Sequence, residues 1–250
     1  MENRSKSSSK PAALVIIPAR MASTRLPGKP LADIAGDPMI VHVMRRAQEA
    51  AIGPVIVACA EEEIKRAVEA AGGTAVLTDP ALPSGTDRVK QAADKIDPSG
   101  EYDYVINVQG DMPTVDPNLL TDILDGLLEG ADIATAAVET EDADEIANPN
   151  VVKAVLAQDG RALYFTRAAA PHGEGSVWHH LGVYAYRRAA LNRFCALPPS
   201  PLELRERLEQ LRALEAGMHI HVAKVETAPH GVDTPEDLRR AREILGHYNA

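Results

Sequence analysis

Cysteine is nearly absent: Cys59 and Cys195 are the only two in 250 residues. They stand far apart with no metal-type spacing, which argues against a disulfide scaffold or a thiolate zinc site and fits free thiols in a reducing compartment. An excess of positive charge is also missing. Lys and Arg number 26 against 36 Asp and Glu, a formal net charge of -10, so no nucleic-acid partner is expected and any cationic cluster is a local feature. No apolar run approaches the ~20 residues that cross a bilayer, so no membrane partner is expected either. The opening residues are polar and Ser/Lys-rich without the apolar stretch of a signal peptide. Residues 1–11 are therefore expected to be a disordered tail, and the protein soluble and cytoplasmic. The two commonest phosphate loops are absent as well. No G-x-G-x-x-G follows a strand, and a Walker A reading fails because Ser23 stands where its first glycine is needed and Pro30 where its Ser or Thr is needed.

What is present is an ordinary globular composition, 45% hydrophobic and 25% charged, ample for one large α/β domain over residues 12–250. Strand-like and helix-like segments alternate. Buried strands are predicted at Leu14–Ile17, Val55–Ala58, Ala75–Leu77, Asp103–Val108 and Asp132–Val138. Helices are predicted at Met39–Ala50, Glu61–Ala71, Gly85–Ile96 and Pro117–Leu128. This rhythm implies a mostly parallel sheet with helices on both faces over residues 12–138. Beyond about Glu139 the rhythm changes. Val151–Leu156, Ala162–Thr166 and Leu181–Tyr186 follow one another without long helices, which suggests a mixed or antiparallel elaboration over 139–230. One helix is expected over Pro201–Ala216 and a strand over His219–Val225. A closing segment over 231–250 carries a helix capped by Thr234-Pro235-Glu236-Asp237.

The most informative stretch runs from Leu14 through Pro30. A β-branched run breaks at Pro18 and empties into a loop stiffened by Pro27, Gly28 and Pro30 that carries Arg20, Arg25 and Lys29. Three scattered cations are ordinarily a solvated loop. Placed at the carboxyl end of the first strand, where open α/β sheets bind ligands, they suit a polyphosphate. A second signal is Tyr104-Val105-Ile106-Asn107-Val108-Gln109-Gly110-Asp111-Met112-Pro113: a strand ends, glycine turns the chain, and Asp111 is presented at the same sheet edge. A turn aspartate is the plain reading; a hard-metal ligand between carboxylate and phosphate is the functional one. Ser84-Gly85 before a helix reads equally well as a cap or as a close backbone approach to a ligand. Thr234 to Asp237 alone is only a helix start.

Taken together, Pro18–Pro30, Gln109-Gly110-Asp111-x-Pro113, Gly231-Val232-Asp233-Thr234-Pro235-Glu236-Asp237, His180-Leu181-Gly182-Val183-Tyr184 and Leu208-Glu209-Gln210-Leu211-Arg212 resemble the 3-deoxy-manno-octulosonate (KDO) cytidylyltransferases. The likeness runs from about Ala13 to Leu245. It implies a nucleotide-diphosphosugar-transferase-like, Rossmann-like α/β fold. It also implies the reaction of CTP with KDO to give CMP-KDO and pyrophosphate for lipopolysaccharide assembly, with Mg2+ as cofactor and a homodimeric state. Asp111 and Asp233 would share the metal. Ala19, Arg20, Arg25, Lys29, Ser84, Gly85, Arg88 and Gln109 would hold the nucleotide, the catalytic set being Arg20, Arg25, Lys29, Asp111 and Asp233. Arg167, His180, Tyr184, Glu209 and Gln210 would face the sugar, whose carboxylate and hydroxyls such donors and acceptors suit. Where the family commonly has Glu after the aspartate, this chain has Met112. Another acidic sugar, or a catalytically silent nucleotide-binding protein, are the alternative readings.

Overall fold

The computed structural model describes residues 13–23 and 25–246; the expected tail at 1–11 lies outside the described residues. Ala13–Ala19 is a strand, β1, and all of it is buried except the half-buried Pro18. A run this apolar on both pleat faces belongs inside a sheet covered on both sides. After a short 3-10 turn at Lys29–Leu31, β2 (Asp33–Ile34) and β3 (Asp37–Pro38) form a small hairpin, turned by Ala35 and Gly36 at positive φ. There follow α1 (Met39–Glu49), β4 (Val55–Cys59), α2 (Glu62–Ala70), β5 (Thr74–Leu77), α3 (Gly85–Ile96), β6 (Tyr104–Asn107), α4 (Pro117–Leu128) and β7 (Ile133–Thr140). The second half holds α5 (Ala143–Ala147), β8 (Lys153–Leu156), β9 (Ala162–Thr166), β10 (Val177–Arg187), α6 (Arg188–Ala196), α7 (Pro201–Glu206), α8 (Gln210–Glu215), β11 (Ile220–Val225) and α9 (Pro235–Gly246).

The main sheet runs β5-β4-β1-β6-β10-β7-β11, with β8 attached to β10 and β9 to β8. β10 is antiparallel to both β6 and β7, while the other pairs on this path are parallel. The carboxyl ends of β1 and β6 therefore meet at one edge, and the elaboration is threaded through the same sheet that carries the nucleotide half. One face packs α1, α2 and α4 around Val15, Ile17, Val57 and Ile106. The other packs α3, α6 and α8 around Leu14, Ile16, Val105 and Phe165. A third, small cluster joins Ile34 and Met39 to Val232, Leu238 and Ala241, so α9 lies against the β2–β3 hairpin beside the first loop. Among the described residues, no helix is long and apolar enough to cross a membrane.

The alternating segments of the first half form the elements their periodicity predicts, Gly85–Ile96 and Pro117–Leu128 to the residue. The expected helix over Pro201–Ala216 is instead two. Arg207 adopts the left-handed conformation (φ 56°, ψ 47°) and ends α7, and α8 restarts at Gln210. The break is held from outside. Arg167 donates from Nε to the Glu206 carbonyl at 2.8 Å and from a terminal nitrogen to the Arg207 carbonyl at 3.3 Å, satisfying the freed helix-end acceptors. Arg212 grips both carboxylate oxygens of Glu203, at 2.8 and 2.5 Å, folding α8 back onto α7. The sequence reading also omits α5, α6 and the β2–β3 hairpin.

Candidate active site

The β1 loop, the end of β6, the start of α3 and the segment before α9 surround one cavity of about 730 Å³. Every nucleotide-side residue of the sequence reading lines it: Ala19, Arg20, Arg25, Lys29, Ser84, Gly85, Arg88, Gln109, Asp111 and Asp233. Asp233 arrives there because the Val232 amide donates to the Asp111 carbonyl at 2.9 Å. His230 and Thr114 cross-bond, with the His230 amide 2.9 Å from the Thr114 hydroxyl. α9 then pins the segment through its cluster with Met39.

At the centre is an ion cluster. Lys29 Nζ lies 2.6 Å from Asp111 Oδ2 and 3.0 Å from Asp233 Oδ1, and an Arg25 guanidinium nitrogen is 2.9 Å from Asp233 Oδ2. Burial alone would lower the Lys29 pKa; the two carboxylates outweigh it and hold the ammonium above its usual value. The Arg25–Asp233 pair is exposed on both sides and contributes little to stability, so a ligand can take it over cheaply. Arg20 is exposed at the cavity wall and, among the described residues, makes no ion pair, which leaves its fork open to an anion. Arg88 differs. It is 2% exposed, its guanidinium is bonded to the Thr78 hydroxyl and, at 3.2 Å, to the Asp79 carbonyl, and burial pushes its pKa down.

Two carboxylates bracketing one ammonium are spaced to bracket one cation. Their hard oxygens fit Mg2+, which usually takes one or two carboxylates and completes its shell with water and substrate phosphate. Among the described residues no group of three or more His, Cys, Asp or Glu side chains is placed to hold a metal ion. Met112 packs against the core instead of adding a third carboxylate.

Gly110 serves the site in a way different from a plain turn. Its φ is not positive, and a Cβ there would lie 2.7 Å from the Pro18 carbonyl oxygen, so glycine lets the β6 end close against β1. Gln109 donates from Nε2 to the Gly182 carbonyl at 3.0 Å, tying the cavity to a bulge in β10 between Leu181 and Tyr184.

The residues read as sugar-facing do not share one environment. His180 is buried, with its ring 4.9 Å from Phe165 and 5.5 Å from Tyr184. Burial, aided by His179, pushes its pKa down to about 3, so it is neutral, and its Nε2 lies 3.0 Å from the Thr135 hydroxyl. Burial raises the Tyr184 phenol, and the nearby Glu209 carboxylate adds to the shift. Arg167 is spent on backbone carbonyls of Pro149, Glu206 and Arg207. Glu209 accepts a 2.7 Å bond from the Thr86 hydroxyl and lines a second cavity of about 640 Å³, which shares Ser84 with the first. Gln210 is 6% exposed and its Nε2 has no hydrogen-bond partner among the described residues.

Three residues near these sites are given no role by the sequence reading. Glu61 accepts the Met21 amide at 3.0 Å and so braces the first loop. Asn107, 1% exposed with an Oδ1 that has no hydrogen-bond partner among the described residues, is cross-strand from Tyr184. Thr86 holds Glu209. No local motif flags them; a polar residue at the end of an otherwise apolar strand is the one signal that could have singled out Asn107.

Comparison with known proteins identifies the family. A family model described as cytidylyltransferase matches residues 14–220. A 3-deoxy-manno-octulosonate cytidylyltransferase of Parvibaculum lavamentivorans is 63% identical over 237 residues, covering 93% of this chain and 92% of the relative. One from Rhodospirillum rubrum is 61% identical over 242 residues, covering 94% and 96%. A solved CMP:2-keto-3-deoxy-manno-octonic acid synthetase complexed with CTP superposes with a TM-score of 0.90 at 38% identity, covering 95% of this chain and 99% of that one. A putative glucose-1-phosphate thymidylyltransferase of Bacillus anthracis, 16% identical with a TM-score of 0.67, shares the fold. The chain therefore belongs to the 3-deoxy-manno-octulosonate cytidylyltransferase family.

Proposed function

We propose that this chain joins CTP to KDO, releasing pyrophosphate and giving CMP-KDO, the activated sugar for lipopolysaccharide assembly. The observation that carries this reading is the convergence of Asp111 and Asp233 on Lys29 inside a cavity walled by Arg20, Arg25 and Ser84-Gly85. The sugar's anomeric oxygen forms a bond to the α-phosphorus as the bond to the β-phosphate oxygen breaks, in line and without a covalent enzyme intermediate. Arg20 and Arg25 grip the phosphates through their forks, and Lys29 moves from the carboxylates onto the departing pyrophosphate as a point charge. Asp111 and Asp233 would then hold Mg2+, which when bound neutralises phosphate charge. Ser84 and Gly85 at the start of α3, with the backbone at Ala19, hold the cytosine and ribose. His180, Tyr184, Glu209 and Gln210 form the sugar side, while Arg167, read with them from the sequence, holds the α7–α8 break. Acceleration comes from positioning and from charge placed where it develops. The reading carries with it a cytoplasmic location and a homodimer.

The test is CTP-dependent pyrophosphate release across a panel of acidic sugars with magnesium present. Release with KDO well above that with sialic-type or 8-amino analogues supports the reading. CTP binding without release for any sugar would leave a silent nucleotide-binding protein.

A further inference from the structure

Thr86 is the second residue of α3 and is 4% exposed. The helix does not need its hydroxyl, because the N-cap belongs to Ser84, whose Oγ accepts the Asp87 amide at 3.1 Å. The Thr86 hydroxyl instead crosses 123 positions of sequence to donate to Glu209 Oε2 at 2.7 Å. The Ser84 hydroxyl donates to Asp87 Oδ2 at 2.8 Å, so the bond from α3 to Glu209 is made by Thr86. Glu209 sits between the left-handed Arg207 and the start of α8, and its other carboxylate oxygen lies 4.0 Å from Arg212. Thr86 directly follows Gly85, and Ser84 and Gly85 line the nucleotide cavity. Glu209 and Ser84 line the second cavity. One short bond thus ties the first turn of α3, where the nucleotide reading places cytosine and ribose, to the segment read as facing the sugar.

We propose that Thr86 is a positioning residue that holds Glu209 against the first turn of α3 and thereby couples occupation of the nucleotide cavity to binding of the acidic sugar. This rests on the activity proposed above. A nucleotide that fixes Ser84 and Gly85 also fixes Thr86, and through it the carboxylate of Glu209. The coupling is reciprocal, so sugar tightens CTP by the factor by which CTP tightens sugar.

Thr86→Val keeps the shape and removes the hydroxyl; Thr86→Ser keeps the hydroxyl. With pyrophosphate release as the readout, Thr86→Val should raise the apparent KM for KDO at saturating CTP about tenfold, the scale of losing a hydrogen bond to a charged group. Its CTP Kd without sugar should stay within about twofold, and Thr86→Ser should recover the sugar KM to within about twofold. Because Thr86 acts through Glu209, the double variant Thr86→Val/Glu209→Gln should be no worse than Glu209→Gln alone. A thermal melt establishes folding, and Thr86→Ala is read the same way if the valine variant fails to fold. An unchanged sugar KM, a serine variant as impaired as the valine one, or additive losses in the double variant would overturn the proposal. No pyrophosphate release by the unaltered protein with any acidic sugar would instead overturn the activity beneath it.

Discussion

Lys29 is held by two carboxylates, and on the proposed reading its loop works by exchanging them for phosphate. Its ammonium bridges Asp111 and Asp233; on the proposed reading, phosphate would compete for the ammonium and a divalent cation for the carboxylates. Asp111→Asn or Asp233→Asn removes one charge while keeping size, and leaves Lys29 the other carboxylate, so folding should survive. Turnover should fall at least ~100-fold, the scale of losing a principal electrostatic stabiliser. Initial rates at limiting magnesium check this, and a near-normal rate in either variant would remove that residue from the site. Arg20, Arg25 and Lys29 are legible in the sequence because Pro18, Pro27 and Pro30 deny their loop any regular helix next to an apolar strand. The partnership of Asp111 with Asp233 is not legible in that way. Its physical basis is a backbone bond from Val232 to Asp111 and the packing of α9 on Met39, long-range contacts that leave no local pattern; the family resemblance supplied it. Thr86, Glu61 and Asn107 escape for the same reason.

Elements whose period is unbroken read well, and those shaped by distant partners do not. α3 and α4 begin at Ser84 and Asp116 caps and carry a continuous apolar stripe, so both ends and type follow from sequence. The α7–α8 break does not, because Pro201–Ala216 keeps helical composition through Arg207. The stop comes from Arg167 capturing carbonyls and from Glu203 folding onto Arg212. β10 exceeds its predicted span at both ends because β6, β7 and β8 all pair with it. The left-handed backbone at Arg207 gives a direct check. Arg207→Gly keeps the carbonyls and should hold stability or raise it by up to about 1 kcal/mol, whereas Arg207→Val should lower it by about 1–2 kcal/mol. Urea midpoints distinguish the two, and a glycine variant as unstable as the valine one would mean that the arginine side chain, not the backbone, sets the break.

At the scale of the whole molecule, a chain of formal net charge -10 presents cations at one sheet edge to a polyanionic nucleotide. The field that matters is local. Arg20, Arg25 and Lys29 share one cavity wall, where their charges add on a single polyanion. Threading β10 between β6 and β7 gives nucleotide and sugar regions one rigid sheet, with Gln109 bonded across to Gly182. That common frame is what an in-line displacement needs, since attacking oxygen, phosphorus and leaving oxygen must be held in a row. The most direct measurement follows a single diastereomer of CTP carrying sulfur at the α-phosphate through reaction with KDO. One in-line attack by the sugar predicts pyrophosphate release with inversion at phosphorus. Retention of configuration, the mark of a covalent enzyme intermediate, would contradict the account.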